Sequence, residues 1–371
     1  MLLLDNADVA DLLRVEDVVG VLEESYADLV AGQGVCRPRI DVRLPTGEGD
    51  SIYQWGSMEG GSVRTGYFAV RVKSDVITEQ EYAGTRTRTQ EKHCVRPGLY
   101  CGLVWLFSAR TGEPLAILND GVLQHMRVGA DSAIGARHAS RPDSEVVGML
   151  GSGGMARSHL EALLAVRPVK RVQVYSPTRA NRERYAAEMA ERHGLEAVPV
   201  SEPDAVYRGA DILCACTDAT GDVIRGDTLE PGTHVTSIGG RPDARARERI
   251  DVWLRLGTAP APVSHPEWRP SDEYVVYRAA PDSPVWAQHQ HDRVRKPPPE
   301  KGEGPRIVYL EAVLRHGGKA RTSPEQITFS ERGNIQGAQF HAVAGLVYER
   351  AERRGLGRRL PTEWFLQDIR D

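Results

Sequence analysis

The stretch that most constrains this chain is Val146-Val147-Gly148-Met149-Leu150-Gly151-Ser152-Gly153-Gly154-Met155-Ala156, an apolar run that stops at glycines and gives way to helical spacing. It reads as a strand, a tight turn and a helix. Gly151 and Gly153 permit the turn and a close approach of backbone to a pyrophosphate, and Ala156 is small enough for the helix to lie against the strand. Gly154 and Met155 open that helix, whose N-terminal N–H groups then face the phosphates. The context supports this reading over that of an ordinary glycine loop. Helical spacing from Ser158 to Val166, then the β-rich run Arg171 to Tyr175, complete a βαβ unit of about the expected ~30 residues.

At 371 residues the chain suits two domains, each able to bury a core. A net charge of -4 gives no reason to expect nucleic acid or an anionic membrane as partner. No apolar stretch approaches the ~18 residues of a membrane span, and the opening Met-Leu-Leu-Leu meets Asp5 at once, without the basic flank or apolar length of a signal peptide. A cytoplasmic protein is expected. The five cysteines form an odd set without paired CxxC motifs, which argues against a disulfide framework and a structural zinc site. Cys214 and Cys216 alternate within a β-rich run and read as buried strand thiols. His289 and His291 lack a partner at supporting spacing, so no metal is expected.

Along the chain, residues 7–32 carry helical periodicity, and Ile40 to Leu44 and Tyr67 to Lys73 read as strands. The polar stretch 77–97 reads as a surface loop with some helix. Leu99 to Phe107 and Leu115 to Leu118 form a hairpin around Ala109 to Pro114, and Leu123 to Ala139 is helical. An antiparallel sheet thus precedes the nucleotide-binding unit. After the glycine turn, strands are expected at 172–175, 212–216, 234–238 and 252–256, the rhythm of a doubly wound parallel sheet. Residues 259–305, rich in proline, break that rhythm as exposed loop, and a final amphipathic helix covers Gln336 to Arg353.

These signatures together resemble the ornithine cyclodeaminase and mu-crystallin family. The resemblance is carried by Pro38-Arg39, Ala109 to Leu118, Met126 to Ala133, the glycine turn, Gly232 to Gly240 and Gly355 to Phe365. It implies an α/β protein: a Rossmann domain (131–326, with an irregular insertion at 259–305) set within an α+β substrate and dimerisation domain built from both chain ends (1–130 and 327–371). A homodimer acting on a small carboxylate is implied with it.

The resemblance places substrate-carboxylate binding on Arg39 and Arg127, and a guanidinium fork suits a planar carboxylate. A pocket cation is implied on the strand carrying Arg71 and Lys73; these lie two apart, hence on one face, and either fits. Cyclodeaminases carry an aspartate where this chain has Arg241, with Asp243 nearby, and Gln-Asp where it has Gln339-Phe340. Those departures favour simple hydride transfer, as in an imine or ketimine reductase or amino-acid dehydrogenase, over a cyclodeaminase that recycles NAD; a non-catalytic NADP-binding ligand carrier of the mu-crystallin kind is the other alternative. At the end of the second Rossmann strand, Ser176, Thr178, Arg179 and Arg182 stand where an acid would bind the ribose of NAD, which points to NADP with NAD as the alternative. Thr217, Ser237 and Ile238 fall on loops that the family places near the nicotinamide.

Overall fold

The computed structural model describes residues 1–81, 88–219, 221–257, 274–278, 284, 306–317 and 319–369. The N-terminal part holds β1 (Leu2–Leu4), α1 (Asn6–Leu12), α2 (Val15–Val30), β2 (Gly34–Cys36), β3 (Arg39–Pro45), β4 (Ile52–Ser62), β5 (Tyr67–Glu81), β6 (Arg88–His93), β7 (Cys101–Ser108), β8 (Pro114–Asn119) and α3 (Gly121–Ala139). The central part holds β9 (Val146–Leu150), α4 (Gly154–Leu164), β10 (Arg171–Tyr175), α5 (Arg179–His193), β11 (Glu196–Pro199), β12 (Ile212–Ala215), β13 (Asp222–Ile224), β14 (His234–Ser237), β15 (Arg241–Pro242), α6 (Ala244–Arg249) and β16 (Val252–Arg255). The remainder holds β17 (Tyr274–Arg278), β18 (Arg306–Tyr309), α7 (Leu310–His316), β19 (Thr328–Glu331), α8 (Gln336–Arg354) and β20 (Arg358–Arg359).

Two large sheets result. One has ten strands in the order β17-β3-β4-β5-β7-β8-β1-β20, with β2 on β4 and β6 on β5; it is antiparallel along β3-β4-β5-β7-β8. Its outer strands tie the chain ends together: β20 pairs with β1, and the Met1 amine donates to Leu360 O (3.1 Å). Strand β4 alternates half-buried and buried side chains over its first half, as a sheet with one face under helices must. Helix α8 lies across β4, and the contact is made by glycine, since a Cβ on Gly337 would stand 1.9 Å from Glu59 O. The second sheet has eight strands, β11-β10-β9-β12-β14-β19-β16-β18, and every pair in it is parallel. Helix α3 connects the sheets and packs on α4 at Gly129, where a Cβ would meet Ser158 O at 2.5 Å.

Four expectations are corrected. The helix over 7–32 is two helices, because Leu13 and Arg14 adopt extended backbone after the Asp5–Asp8 capping box fixes the start of α1. Residues 77–81 and 88–93, read as part of a surface loop with some helix, are strand: β5 runs to Glu81, and β6 pairs with it from Val76↔His93 to Glu81↔Arg88. Backbone ladders form without an apolar face, so polar sequence hid the hairpin. The domain boundary at 327 falls too early, since β19 is inserted between β14 and β16 and the chain leaves the parallel sheet only after Glu331. Finally, the insertion at 259–305 is not wholly irregular or confined to the nucleotide domain: β17 pairs in parallel with β3 of the other sheet. His289 and His291 lie outside the described residues.

Candidate active site

The glycine turn is built as its residues require. Gly151 has φ +112° and donates its N–H to Tyr175 O (2.8 Å), and a Cβ there would stand 1.9 Å from Cys216 O. Gly153 is the N-cap of α4 and brings no side-chain cap, so the first N–H groups of the helix stay available to an anion, while Ala156 is fully buried against the strand. Replacing Gly151 by alanine combines backbone strain with a backbone clash. Gly151→Ala is therefore expected to lower the thermal midpoint by well over ~5 °C and to abolish dinucleotide binding, read by differential scanning calorimetry and cofactor fluorescence.

The other nucleotide-side residues gather at the C-terminal ends of the parallel strands, the edge at which such sheets bind ligands. Ser176 is buried at the end of β10, and its carbonyl accepts from Arg182 Nη1 (2.9 Å). Thr178 is the N-cap of α5 without a side-chain cap bond. Arg179 points into solvent and pairs with Glu183 (2.6 Å), so it is not drawn into the site. Thr217 lies under Gly239, whose Cβ would meet Thr217 O at 1.9 Å. Ser237 Oγ donates to the carbonyls of Gly239 (3.0 Å) and Gly240 (2.9 Å), which fixes the loop carrying Ile238. Asp243 is committed elsewhere: its Oδ1 accepts from Ala246 N (2.6 Å) and Gly226 N (3.0 Å) as the cap of α6.

Facing this edge is a buried band of charge on the other domain. Arg71 and Lys73 share a face of β5, as their spacing requires, but have different surroundings. Arg71 Nε donates to Asp120 Oδ2 (2.6 Å), and Gly102 makes room for that carboxylate, since a Cβ there would lie 2.0 Å from Asp120 Oδ1. Lys73 Nζ donates to Asp75 (2.6 Å); burial, and then the Arg39 charge, hold its pKa well below the usual lysine value. Arg39, at the half-buried end of the band, forks onto Asp41 (2.8 Å) and takes its own backbone partner from Asn334 Oδ1 (2.9 Å).

Arg127 differs from all of these. Its guanidinium is buried on α3, donates to Gln339 Oε1 (2.6 Å) and Gln124 Oε1 (2.7 Å), and lies 4.7 Å from the centre of the Phe340 ring. Arg71 lies 5.4 Å from the same ring. Arg127 Nε has no hydrogen-bond partner, and no carboxylate forms an ion pair with Arg127 among the described residues. Burial, with Arg332 and Arg71 nearby, pushes its pKa down to about 9. Gln339 Nε2 in turn donates to Tyr26 OH (2.7 Å), and Tyr26 donates to Asp131, so the arginine is held by a fixed network.

Two residues of this region escaped the sequence reading. Arg332, a guanidinium whose charge acts on Arg127, donates to Ile238 O (3.3 Å) and so joins the surroundings of Arg127 to the loop at the end of β14. Its signal was available: it follows directly on a parallel strand, at the ligand-binding edge. His125, exposed on α3, rests its ring against the start of α4, where a Cβ on Gly154 would lie 3.1 Å from Cε1. A separate cavity of about 260 Å³ lies between α2 and the β18–α7 segment and shares only Tyr26 with this network. It contains none of the residues of the glycine turn.

The sequence profile of the ornithine cyclodeaminase/mu-crystallin family matches residues 76–269, more than half of the 371-residue chain. The chain belongs to this family. An uncharacterized cyclodeaminase of Sinorhizobium fredii is 25% identical over 362 residues, 96% of this chain and 98% of that protein. The delta(1)-pyrroline-2-carboxylate reductase of Bacillus cereus is 32% identical over 138 residues, 37% of this chain and 42% of that protein, so the match spans less than half of the reductase. Among solved structures, the delta(1)-pyrroline-2-carboxylate reductase of Thermococcus litoralis, in complex with NADH and L-proline, superposes with a TM-score of 0.72 at 21% identity, over 97% of this chain and 100% of that one. This shared fold is the α/β architecture expected from the sequence. Among the described residues no helix is long and apolar enough to cross a membrane.

Proposed function

We propose that this family member is a nicotinamide-dependent oxidoreductase that reduces the C=N bond of a small imino acid, or runs the reverse oxidation of the amino acid. The observation that carries the reading is Arg127: a buried guanidinium that, among the described residues, forms no direct ion pair, its Nε unpartnered and the buried Asp131 linked to it only through Tyr26 and Gln339. A buried cation left in this state is stabilised by an anionic ligand. The residues present fit a dinucleotide, since Gly151 leaves the space a side chain would fill and the uncapped start of α4 suits a pyrophosphate. The cofactor, when bound, supplies the hydride.

The chain does the rest. Arg127 and Arg71 fix the carboxylate above Phe340, which orients the imine carbon toward the nucleotide edge. Lys73 lies on the same face of β5, its ammonium form disfavoured by burial, and on this reading it is the group that exchanges a proton with the imine nitrogen. The commitment of Asp243 to the α6 cap, with Arg241 in the place of the cyclodeaminase aspartate, leaves no acid on that loop for ring closure with loss of ammonia. The relatives named as reductases support this choice, and the Sinorhizobium fredii cyclodeaminase supports the alternative. Incubation with NADPH or NADH and a panel of cyclic imines, and of 2-keto acids with amines, decides between them. Net cofactor oxidation is expected; ammonia release without it would establish the lyase, and binding with neither a ligand carrier.

For the cofactor, the reading is that Arg182, beside the buried Ser176, meets a 2′-phosphate and that Arg179 swings from Glu183 to join it, which makes NADP the preferred form. Arg182→Ala is then expected to lower the ratio of NADPH to NADH affinity about tenfold, and added salt should shrink that ratio in the unaltered protein. Dissociation constants for both cofactors at two salt concentrations test this. A tighter grip on NADH regardless of salt would make NAD the cofactor. A cytoplasmic homodimer belongs to the same proposal. Light scattering should give twice the 40.8 kDa chain mass.

A further inference from the structure

We propose that His159, Cys214 and Cys216 form a binding site for a soft d10 metal ion, Zn²⁺ in the first instance, beneath the glycine turn. The three side chains come from α4 and from the end of β12, are all buried, and bring their ligand atoms within 4.8 Å of one another. Cys214 and Cys216 alternate along the strand, so their thiols share a side, and the sulfur atoms stand 3.6 Å apart. Two thiolates each ~2.3 Å from one tetrahedral ion lie about 3.7 Å apart. The pair therefore already has the spacing that a shared ion imposes, and only the imidazole has to draw in.

His159 is an independent observation pointing to the same ligand. Its Nδ1 lies 2.6 Å from Met155 O, which fixes the proton on that nitrogen and turns the lone pair of Nε2 inward. Nε2 is buried and has no partner. A carbonyl that pins one ring nitrogen and leaves the other free for a ligand is the arrangement found around metal-bound histidines, and a buried orphan nitrogen on a ring beside two sulfurs calls for such an explanation. Loading is balanced: Zn²⁺ displaces two thiol protons and gives a neutral assembly of one dication, two thiolates and one neutral imidazole, free of the cost of uncompensated buried charge. Two sulfurs and one imidazole suit Zn²⁺ or Cu⁺ and not a hard cation.

The sequence reading of these cysteines as buried strand thiols was correct about burial. It could not see His159, which is 55 residues from Cys214 and faces it only because α4 packs over β9 and β12. The ion would clamp α4 to β12 where Cys216 O touches Gly151, so it would brace the dinucleotide turn. This inference does not depend on the proposed reaction.

The test is the metal content of the full chain, purified without chelator from zinc-supplemented medium and again after refolding with Co²⁺. About one Zn²⁺ per chain is expected, and the cobalt form should show a thiolate-to-cobalt charge-transfer band with the intense visible bands of a tetrahedral site. Cys214→Ala, Cys216→Ala and His159→Gln should each lower the occupancy at least tenfold, while changing Cys94 and Cys101 to serine should not. The unaltered protein alone decides should those variants fail to fold. A chain that is metal-free by both routes, with a thermal midpoint indifferent to Zn²⁺, overturns the proposal, as does metal lost with Cys94 and Cys101 and retained without Cys214.

Discussion

Arg127→Met should cost roughly 2 to 5 kcal/mol of transition-state binding in kcat/KM while folding stability changes by no more than about 1 kcal/mol. The asymmetry follows from the surroundings of the guanidinium. It is stripped of water, lies beside Arg71 and Arg332, and forms no ion pair with a carboxylate among the described residues, so the fold gains little from the charge and a carboxylate ligand gains much. Methionine keeps the packing on Phe340; Gln339 retains its bond to Tyr26, and half-buried Gln124 can turn to water. Urea unfolding and steady-state kinetics on one protein sample measure both halves. A variant that unfolds with its activity per folded molecule intact would remove Arg127 from the site. The depressed pKa adds a pH signature. The guanidinium, held at about 9, loses its proton as pH rises through that value, so KM for a carboxylate substrate should climb above pH 9 and that climb should be absent in Arg127→Met. The same shift sets the sign for stability: the folded state disfavours the charged form, so its penalty is present below pH 9 and relieved as pH rises from there toward the ordinary arginine value.

Asp120→Ala should destabilise the fold by about 3–5 kcal/mol, which is far more than replacing its partner as well. Asp120 and Arg71 are both buried and meet at 2.5 Å, in a space opened by Gly102. Removing the carboxylate alone strands a desolvated guanidinium; the double change Asp120→Ala with Arg71→Met removes both charges and should recover most of the loss. Unfolding free energies for the two singles and the double close the cycle. A single variant as stable as the unaltered chain would mean that water reaches Arg71, and that Arg71 is not held rigid for a carboxylate. Arg71 and Arg127 thus differ although both are buried: Arg71 meets a carboxylate directly, whereas Arg127 meets the neutral amides of Gln339 and Gln124.

The contrast bears on what could be read from residues alone. The strand-turn-helix at 146–156 was legible because its chemistry is local: a positive φ at Gly151, a helix start without a cap and a small residue at Ala156 all follow within eleven positions. The parallel strands and the long helices α3 and α8 were legible for the same reason, through periodicity of 2 and of 3.6. Where the pattern was polar it misled, as at the β5–β6 hairpin, whose ladder is backbone-made and leaves no apolar trace.

Sequence by itself determined the family, the two-domain α/β architecture and the set of cations from which an anion site could be drawn. Tertiary structure decided how each cation is partnered. Arg39 and Lys73 pair with Asp41 and Asp75, two residues along their own strands, whereas Arg71 and Arg127 are separated by the distant partner each one meets. Arg71 finds a carboxylate 49 residues away, whereas Arg127 finds the neutral amide of Gln339 at a separation of 212. The same holds for Arg332 against Ile238 and for His159 beside its two thiols. Local pattern encodes secondary structure because neighbours in sequence are neighbours in space; the charge balance of a buried site depends on residues that only packing brings together, and no window of sequence contains them.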